Sequence, residues 1–233
     1  MKREELALVQ GWDDTKTALR TWHAAPGKVL RPWIFGSLAV SVLLLGATMG
    51  IAYASVPDSG TRLAFPGVGY PADYGDYGYV LFRNSLVLTL HALACVAGFI
   101  AGSSLPQIAD GYSGWYRRAH IIAQPLAIGF VICATLFSLC TQAYILGGDT
   151  ATLAAQWELS PAALIGLLSV HAIPELTALF LPLAAWTMAS RKGEWSNLLA
   201  ATFATVGLAV PVLLGAAAVE VWVTPRLLSA LIF

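Results

Sequence analysis

The sequence predicts an all-α fold, a polytopic transmembrane helix bundle of about five spans with the fourth kinked or broken at Pro174. Three observations lead there. The chain is 58% apolar and only 11% charged, outside the usual make-up of a soluble domain. Apolar runs long enough to cross a hydrocarbon core of roughly 30 Å, about 20 helical residues, recur along it. These runs are continuous and rich in Leu and Ala, whereas a membrane barrel alternates apolar and polar residues over segments of about ten.

Residues 1–32 read as a cytoplasmic amphipathic segment, 33–226 as the transmembrane bundle, and 227–233 as a C-terminal tail. In the first segment Leu6, Val9, Trp12, Leu19 and Trp22 recur at helical spacing, which suits a helix on the membrane surface, on a partner, or packed on the protein's own loops. No cleavable signal peptide is expected, because this polar stretch precedes a full-length span rather than a short apolar region with a small-residue cleavage site.

The first span runs from Trp33 to Val56, with a GATMG step in its middle. An external loop at 57–79 follows, dense in Gly, Pro, Tyr and Asp, which punctuate turns and cannot sustain a helix. Its tyrosines, among them Tyr74, Tyr77 and Tyr79, suit an interfacial aromatic belt or a contact surface. The second span covers about Phe82 to Ser103, the third about Ala119 to Leu146, and a loop from Gly147 to Ser160 separates the third from the fourth. The fourth, Pro161 to Ser190, is long and carries Pro174 and Pro182, so it is one kinked helix or a broken one. The last runs from about Trp195 to Val223, with Pro211 inside. Glycine pairs four apart, Gly46/Gly50 and Gly98/Gly102, allow close helix approach within a protomer or across a homo-oligomer.

Charge tests the span count independently of hydropathy. Lys2, Arg3, Lys16, Arg20, Lys28 and Arg31 precede the first span, Arg117 and Arg118 lie between the second and third, and Arg191 and Lys192 lie between the fourth and fifth. Only Arg62 falls in the first external loop and Arg226 beyond the last span, so the bias puts the N-terminus in the cytoplasm and the C-terminus outside a cell membrane. The net charge is zero, which gives no basic surface for nucleic acid and no preference for an acidic substrate. Cys95, Cys133 and Cys140 all fall inside spans and read as small packing residues.

Ionisable groups within the spans cost about 3 kcal/mol each on insertion scales, so each calls for a partner or a purpose. Asn84 and His91 lie on the second span, His171 and Glu175 on the fourth, Glu220 near the outer end of the fifth and Arg83 near the outer start of the second. By helical rise, His91 sits about 13 Å below Phe82 and His171 about 15 Å below Pro161, depths at which the two imidazoles can meet. Arg83 and Glu220 both lie near the outer interface, where an ion pair is feasible. His171 and Glu175 are four apart and share one helix face, and Pro174 frees the Val170 carbonyl beside them.

Four readings stay open for the cluster Asn84, His91, His171 and Glu175: a polar clasp that fixes helix packing, a proton, ion or substrate pathway, a metal site built from His91, His171 and Glu175, or haem held by the two histidines. No HExxH, GxSxG or phosphate-binding loop is present to support an enzyme.

Three stretches together resemble the stage II sporulation protein M family. HAIPE is similar to that family's H-G-x-x-E core, matched by His171 and Glu175, with Ala172 in place of glycine. VEVWVTP is similar to its I-E-a-f-[IV]-T-P signature, matched by Glu220, Thr224 and Pro225. RNSLVLTLHALACVAGFIAG resembles its N-N-x-x-x segment and Gly-rich helix, with Asn84 matching and Arg83 departing. The resemblance spans about residues 80–226. It implies an integral membrane scaffold or assembly protein of about five helices, without catalysis of its own and acting with partner proteins at the cell envelope. Sporulating members work with peptidoglycan hydrolases during forespore engulfment, and many others occur in organisms that do not sporulate. Two rival functions stay open, a transporter or channel component using the His/Glu cluster and an intramembrane metal-binding protein.

Overall fold

The computed structural model describes residues 7–232, so Lys2, Arg3 and Leu6, together with the Val9 side chain, lie outside the described residues. The chain is helical nearly throughout, and no strand occurs among the described residues. Among the described residues, five helical stretches are long and apolar enough to cross a membrane: Pro26–Ala54, Tyr74–Ser103, Gly114–Gln156, Pro161–Leu179 and Trp195–Ile232. This is the build of a multi-pass membrane protein.

The helices are α1 (Ala7–Ala24), α2 (Pro26–Ala54), α3 (Tyr74–Phe99), α4 (Leu105–Asp110), α5 (Gly114–Gln156), α6 (Pro161–Leu179), α7 (Leu181–Lys192), α8 (Leu198–Ala218) and α9 (Thr224–Ile232). Two five-residue π turns, Ile100–Ser104 and Val219–Val223, join α3 to α4 and α8 to α9.

Several boundaries differ from the sequence reading. The second span begins inside the expected loop, because Asp73 and Asp76 cap α3 reciprocally. Asp73 Oδ1 accepts the Gly75 and Asp76 N–H groups at 2.7 and 3.0 Å, and Asp76 Oδ2 accepts the Asp73 N–H at 3.0 Å. The expected loop at 147–160 is largely helix, since α5 continues to Gln156. Its last turns bury Gly147, Thr150 and Leu153, and they hold the first loop through Asp58 N–H to Thr152 Oγ1 (3.1 Å) and Gln156 Nε2 to the Thr61 carbonyl (2.6 Å). The expected tail is the helix α9, whose Leu228 is fully buried against Leu153, Ala154 and Leu164.

The fourth span stays helical through Pro174, and its break falls at Phe180. Leu181 and Pro182 then open α7, where a missing N–H costs nothing because a first-turn donor has no intrahelical acceptor.

The chain folds into two compact units, each built from separate stretches of sequence. The first comprises residues 7–37, 87–135 and 180–209 of the described chain. Here α1 packs on the protein itself: Trp12 meets Phe203 edge to face at 5.9 Å, Trp22 meets Trp33 at 5.3 Å, and Thr15 is buried. Trp33, Leu181, Ala185 and Ala201 form a buried cluster beside them. A Cβ on Gly98 would lie 2.5 Å from Trp186 Nε1, and one on Gly102 would overlap Trp195. This glycine pair therefore serves packing within the chain, whereas Gly46 and Gly50 meet nothing within 4 Å.

The second unit comprises residues 38–86, 136–179 and 210–232 of the described chain. Its first loop turns at Gly67, with φ of 79° and Val68 N–H bonded to the Phe65 carbonyl at 3.0 Å. The turn packs against Pro225, which a Cβ on Gly67 would approach to 2.7 Å. Tyr77 lies tilted against Trp222 at 5.1 Å, Tyr74 meets it edge to face at 5.6 Å, and Tyr77 donates its hydroxyl to the Leu214 carbonyl at 3.2 Å. Tyr77 is thus a packing residue, while Tyr79 is exposed.

Two helix ends share one hydrogen-bond pattern with different residues at the left-handed position. After α7, Gly193 has φ of 72° and Glu194 N–H bonds the Ala189 carbonyl at 2.9 Å. After α5, Glu158 has φ of 55° and Leu159 N–H bonds the Ala154 carbonyl at 2.9 Å. An L-residue there costs roughly 1–2 kcal/mol, so Glu158→Gly is expected to raise stability by about 0.5–1 kcal/mol, read from reversible unfolding in detergent. In the same assay Gly102→Ala is expected to destabilise by about 1–3 kcal/mol through overpacking, with Gly46→Ala close to neutral.

Candidate functional site

Of the polar residues singled out by sequence, Arg83, Asn84, His171, Glu175 and Glu220 meet in the second unit. A cavity of about 230 Å³ is lined there by residues of all five spans, and its polar wall is Thr48, Arg83, Asn84, Thr150, His171, Glu175 and Glu220. Its apolar wall includes Leu45, Val80, Ile165 and Leu168. At about 30 Å³ of liquid volume per water, such a space holds several waters and is too small for a drug-sized ligand.

Each element delivers its group for a local reason. Ser160 caps α6 by accepting the Ala163 N–H at 3.2 Å, with Pro161 at the first helical position, and this fixes the register that brings His171 and Glu175 to one face. Asn84 lies ten residues into α3, whose start is set by the Asp73 cap. Glu220 is the second residue of the π turn and Thr224 follows its end, with Thr224 N–H bonded to the Val219 carbonyl five residues back. The wider turn shifts the register of everything beyond it, and π bulges of this kind recur at functional sites.

The central contact is a hydrogen bond between His171 Nδ1 and Thr224 Oγ1 at 2.9 Å. Both partners are buried, with exposures of 6% and 0%. One ligand atom each from His171, Glu175 and Glu220 lies within 4.8 Å of the other two. Asn84, 8% exposed, adjoins the Glu175 carboxylate, yet Asn84 Nδ2 and Glu175 Oε2 are both buried without a hydrogen-bond partner, as is Thr48 Oγ1.

Three sequence expectations land differently. His91 lies in the first unit, where its ring packs on Phe180 at 5.4 Å, and it does not line the cavity. It is seven residues beyond Asn84, on the same helical face but about 10.5 Å further along. Arg83 and Glu220 share the cavity wall without forming a contact ion pair, and the Arg83 guanidinium lies over the Tyr79 ring at 5.8 Å. Glu220, read from sequence as an outer-interface partner, instead joins the His171 and Glu175 group. Sequence reasoning missed Thr48, whose signal was a hydroxyl within an apolar span, and Thr150, which it placed in the loop at 147–160.

A larger groove of about 770 Å³ in the same unit carries Asp58 and Asp149. The Asp58 carboxylate is already engaged. It accepts the Thr61 hydroxyl at 2.6 Å and the Gly60 N–H at 2.8 Å, and these bonds hold it below the usual carboxylate range.

Compared with known proteins, the chain matches no family model, no curated protein and no solved structure.

Removing the Thr224 hydroxyl leaves a buried imidazole nitrogen unpaired. Thr224→Val is therefore expected to lower stability by about 1–3 kcal/mol, with Thr224→Ser restoring most of it, as read from unfolding in detergent micelles.

Proposed function

We propose that the chain is a scaffold or assembly protein of the stage II sporulation protein M type, held in the cell membrane with its N-terminus in the cytoplasm and its C-terminus outside. It works with partner proteins of the envelope and performs no catalysis of its own. The observation that carries this reading is the hydrogen bond between His171 and Thr224 at 2.9 Å. His171 belongs to HAIPE and Thr224 to VEVWVTP, so two of the three segments on which the resemblance rests touch side chain to side chain. A direct contact of that length suits a clasp that fixes helix packing.

A second reading, a transporter or channel component, draws on the cavity, where Thr48, Asn84 and Glu175 present buried polar atoms without partners. One pair of measurements separates the two. Photo-crosslinking from exposed Trp12 and Tyr79 positions in cell membranes is expected to trap a discrete partner, and the His171→Leu/Glu175→Leu double variant to lose it. In proteoliposomes the wild type is expected to pass protons or cations no faster than empty vesicles. Flux that vanishes in Glu175→Gln would replace the scaffold with the transporter. Partner capture and folding untouched by the double change would remove the clasp's role.

A further inference from the structure

We infer that His171, Glu175 and Glu220 form a binding site for one divalent transition-metal cation of the zinc class, set among the apolar spans of the second unit. The donor set is one imidazole and two carboxylates, with one ligand atom from each within 4.8 Å of the other two. Nitrogen and oxygen donors of this kind suit zinc and its neighbours, and three protein ligands leave a fourth position for water. Zinc bonds of about 2.0–2.2 Å place tetrahedral ligand atoms roughly 3.4 Å apart, so the groups must draw in slightly. Both acids are glutamates, whose rotatable side chains allow that movement.

An independent observation points to a ligand. Asn84 is 8% exposed and lines the same cavity, with its amide nitrogen buried and unpartnered. Beside it Glu175 Oε2 is also buried without a partner. A cation that draws in one Glu175 oxygen orients the carboxylate, and the Asn84 amide can then donate to the other. Such support from outside the ligand set is typical of metal sites.

The imidazole ring is also held in place, with His171 Nδ1 and Thr224 Oγ1 2.9 Å apart. In the tautomer that carries its proton on Nδ1, that nitrogen donates to the hydroxyl and the Nε2 lone pair is the one left to ligate. Charge argues in the same direction. Two carboxylates within 4.8 Å repel strongly in a low-dielectric interior when both are ionised, and a dication between them removes that repulsion. The one guanidinium on the cavity wall, Arg83, is exposed and lies over Tyr79 instead of bridging the two acids. The cavity of about 230 Å³ has room for the ion and its water.

The ligand set exchanges the His91 of the sequence reading for Glu220, which supplies a control. The full-length protein, purified in detergent micelles and stripped with chelator, is titrated with Zn²⁺ by calorimetry and with Co²⁺ by visible absorption. One saturable equivalent per chain is expected, with a Co²⁺ spectrum distinct from that of the hydrated ion. Glu175→Gln and Glu220→Gln are each expected to weaken binding at least tenfold, with His91→Asn unchanged. Absence of saturable binding to monodisperse wild type overturns the inference, as does affinity unchanged in both Gln variants or lost equally in His91→Asn. Should the Gln variants fail to fold, the wild-type Co²⁺ spectrum decides alone, and a spectrum of the hydrated ion overturns the site. These readouts are independent of partner capture and flux, so the site and the scaffold reading can fail separately.

Discussion

Ionisable side chains inside apolar helices have to be matched to one another, and this constraint organises the second unit around the bond between His171 and Thr224. Each is contributed by a helix that could otherwise pack in several registers, because Leu- and Ala-rich faces specify register weakly. A buried hydrogen bond allows only one. Thr224 closes the π turn and the next residue, Pro225, seats the Gly67 turn of the external loop. A single stretch of chain thus fixes the polar pair and the loop together, and a shift in either would disturb both.

The fold class, the five spans and the positions of most polar groups were legible in the sequence, because hydropathy and length decide them before packing does. Boundaries were less legible where local capping outweighed composition. Asp73 and Asp76 begin α3 within a segment that Gly and Tyr content reads as loop. The extension of α5 is held by bonds from Asp58 to Thr152 and from Thr61 to Gln156, which span 94 and 95 residues of sequence. No local signal announces partners so far away.

The site was half legible for a related reason. The four-residue spacing of His171 and Glu175 puts them on one face, and both line the cavity with Asn84, whereas counting depth by rise treats every span as a straight α-helix. It failed for Glu220, which sits in a π turn whose hydrogen bonds reach one residue further back. It also failed for His91, because matching depth says nothing of which neighbour a face meets, and that face meets Phe180 at the interruption of the fourth span. A proline rule alone would have put the interruption at Pro174. The observed place, two residues before Pro182, leaves the helix intact across the stretch that presents His171 and Glu175.

The cavity is hard to explain by packing alone. A buried polar atom without a partner costs on the order of 1–3 kcal/mol, and Thr48, Asn84 and Glu175 contribute three such atoms to one wall. Apolar side chains of similar volume would fill the space without the cost. The bond between His171 and Thr224 leaves Thr48, Asn84 and Glu175 with polar atoms unmatched within the chain, and the cavity that they face has room for waters or an ion to meet them.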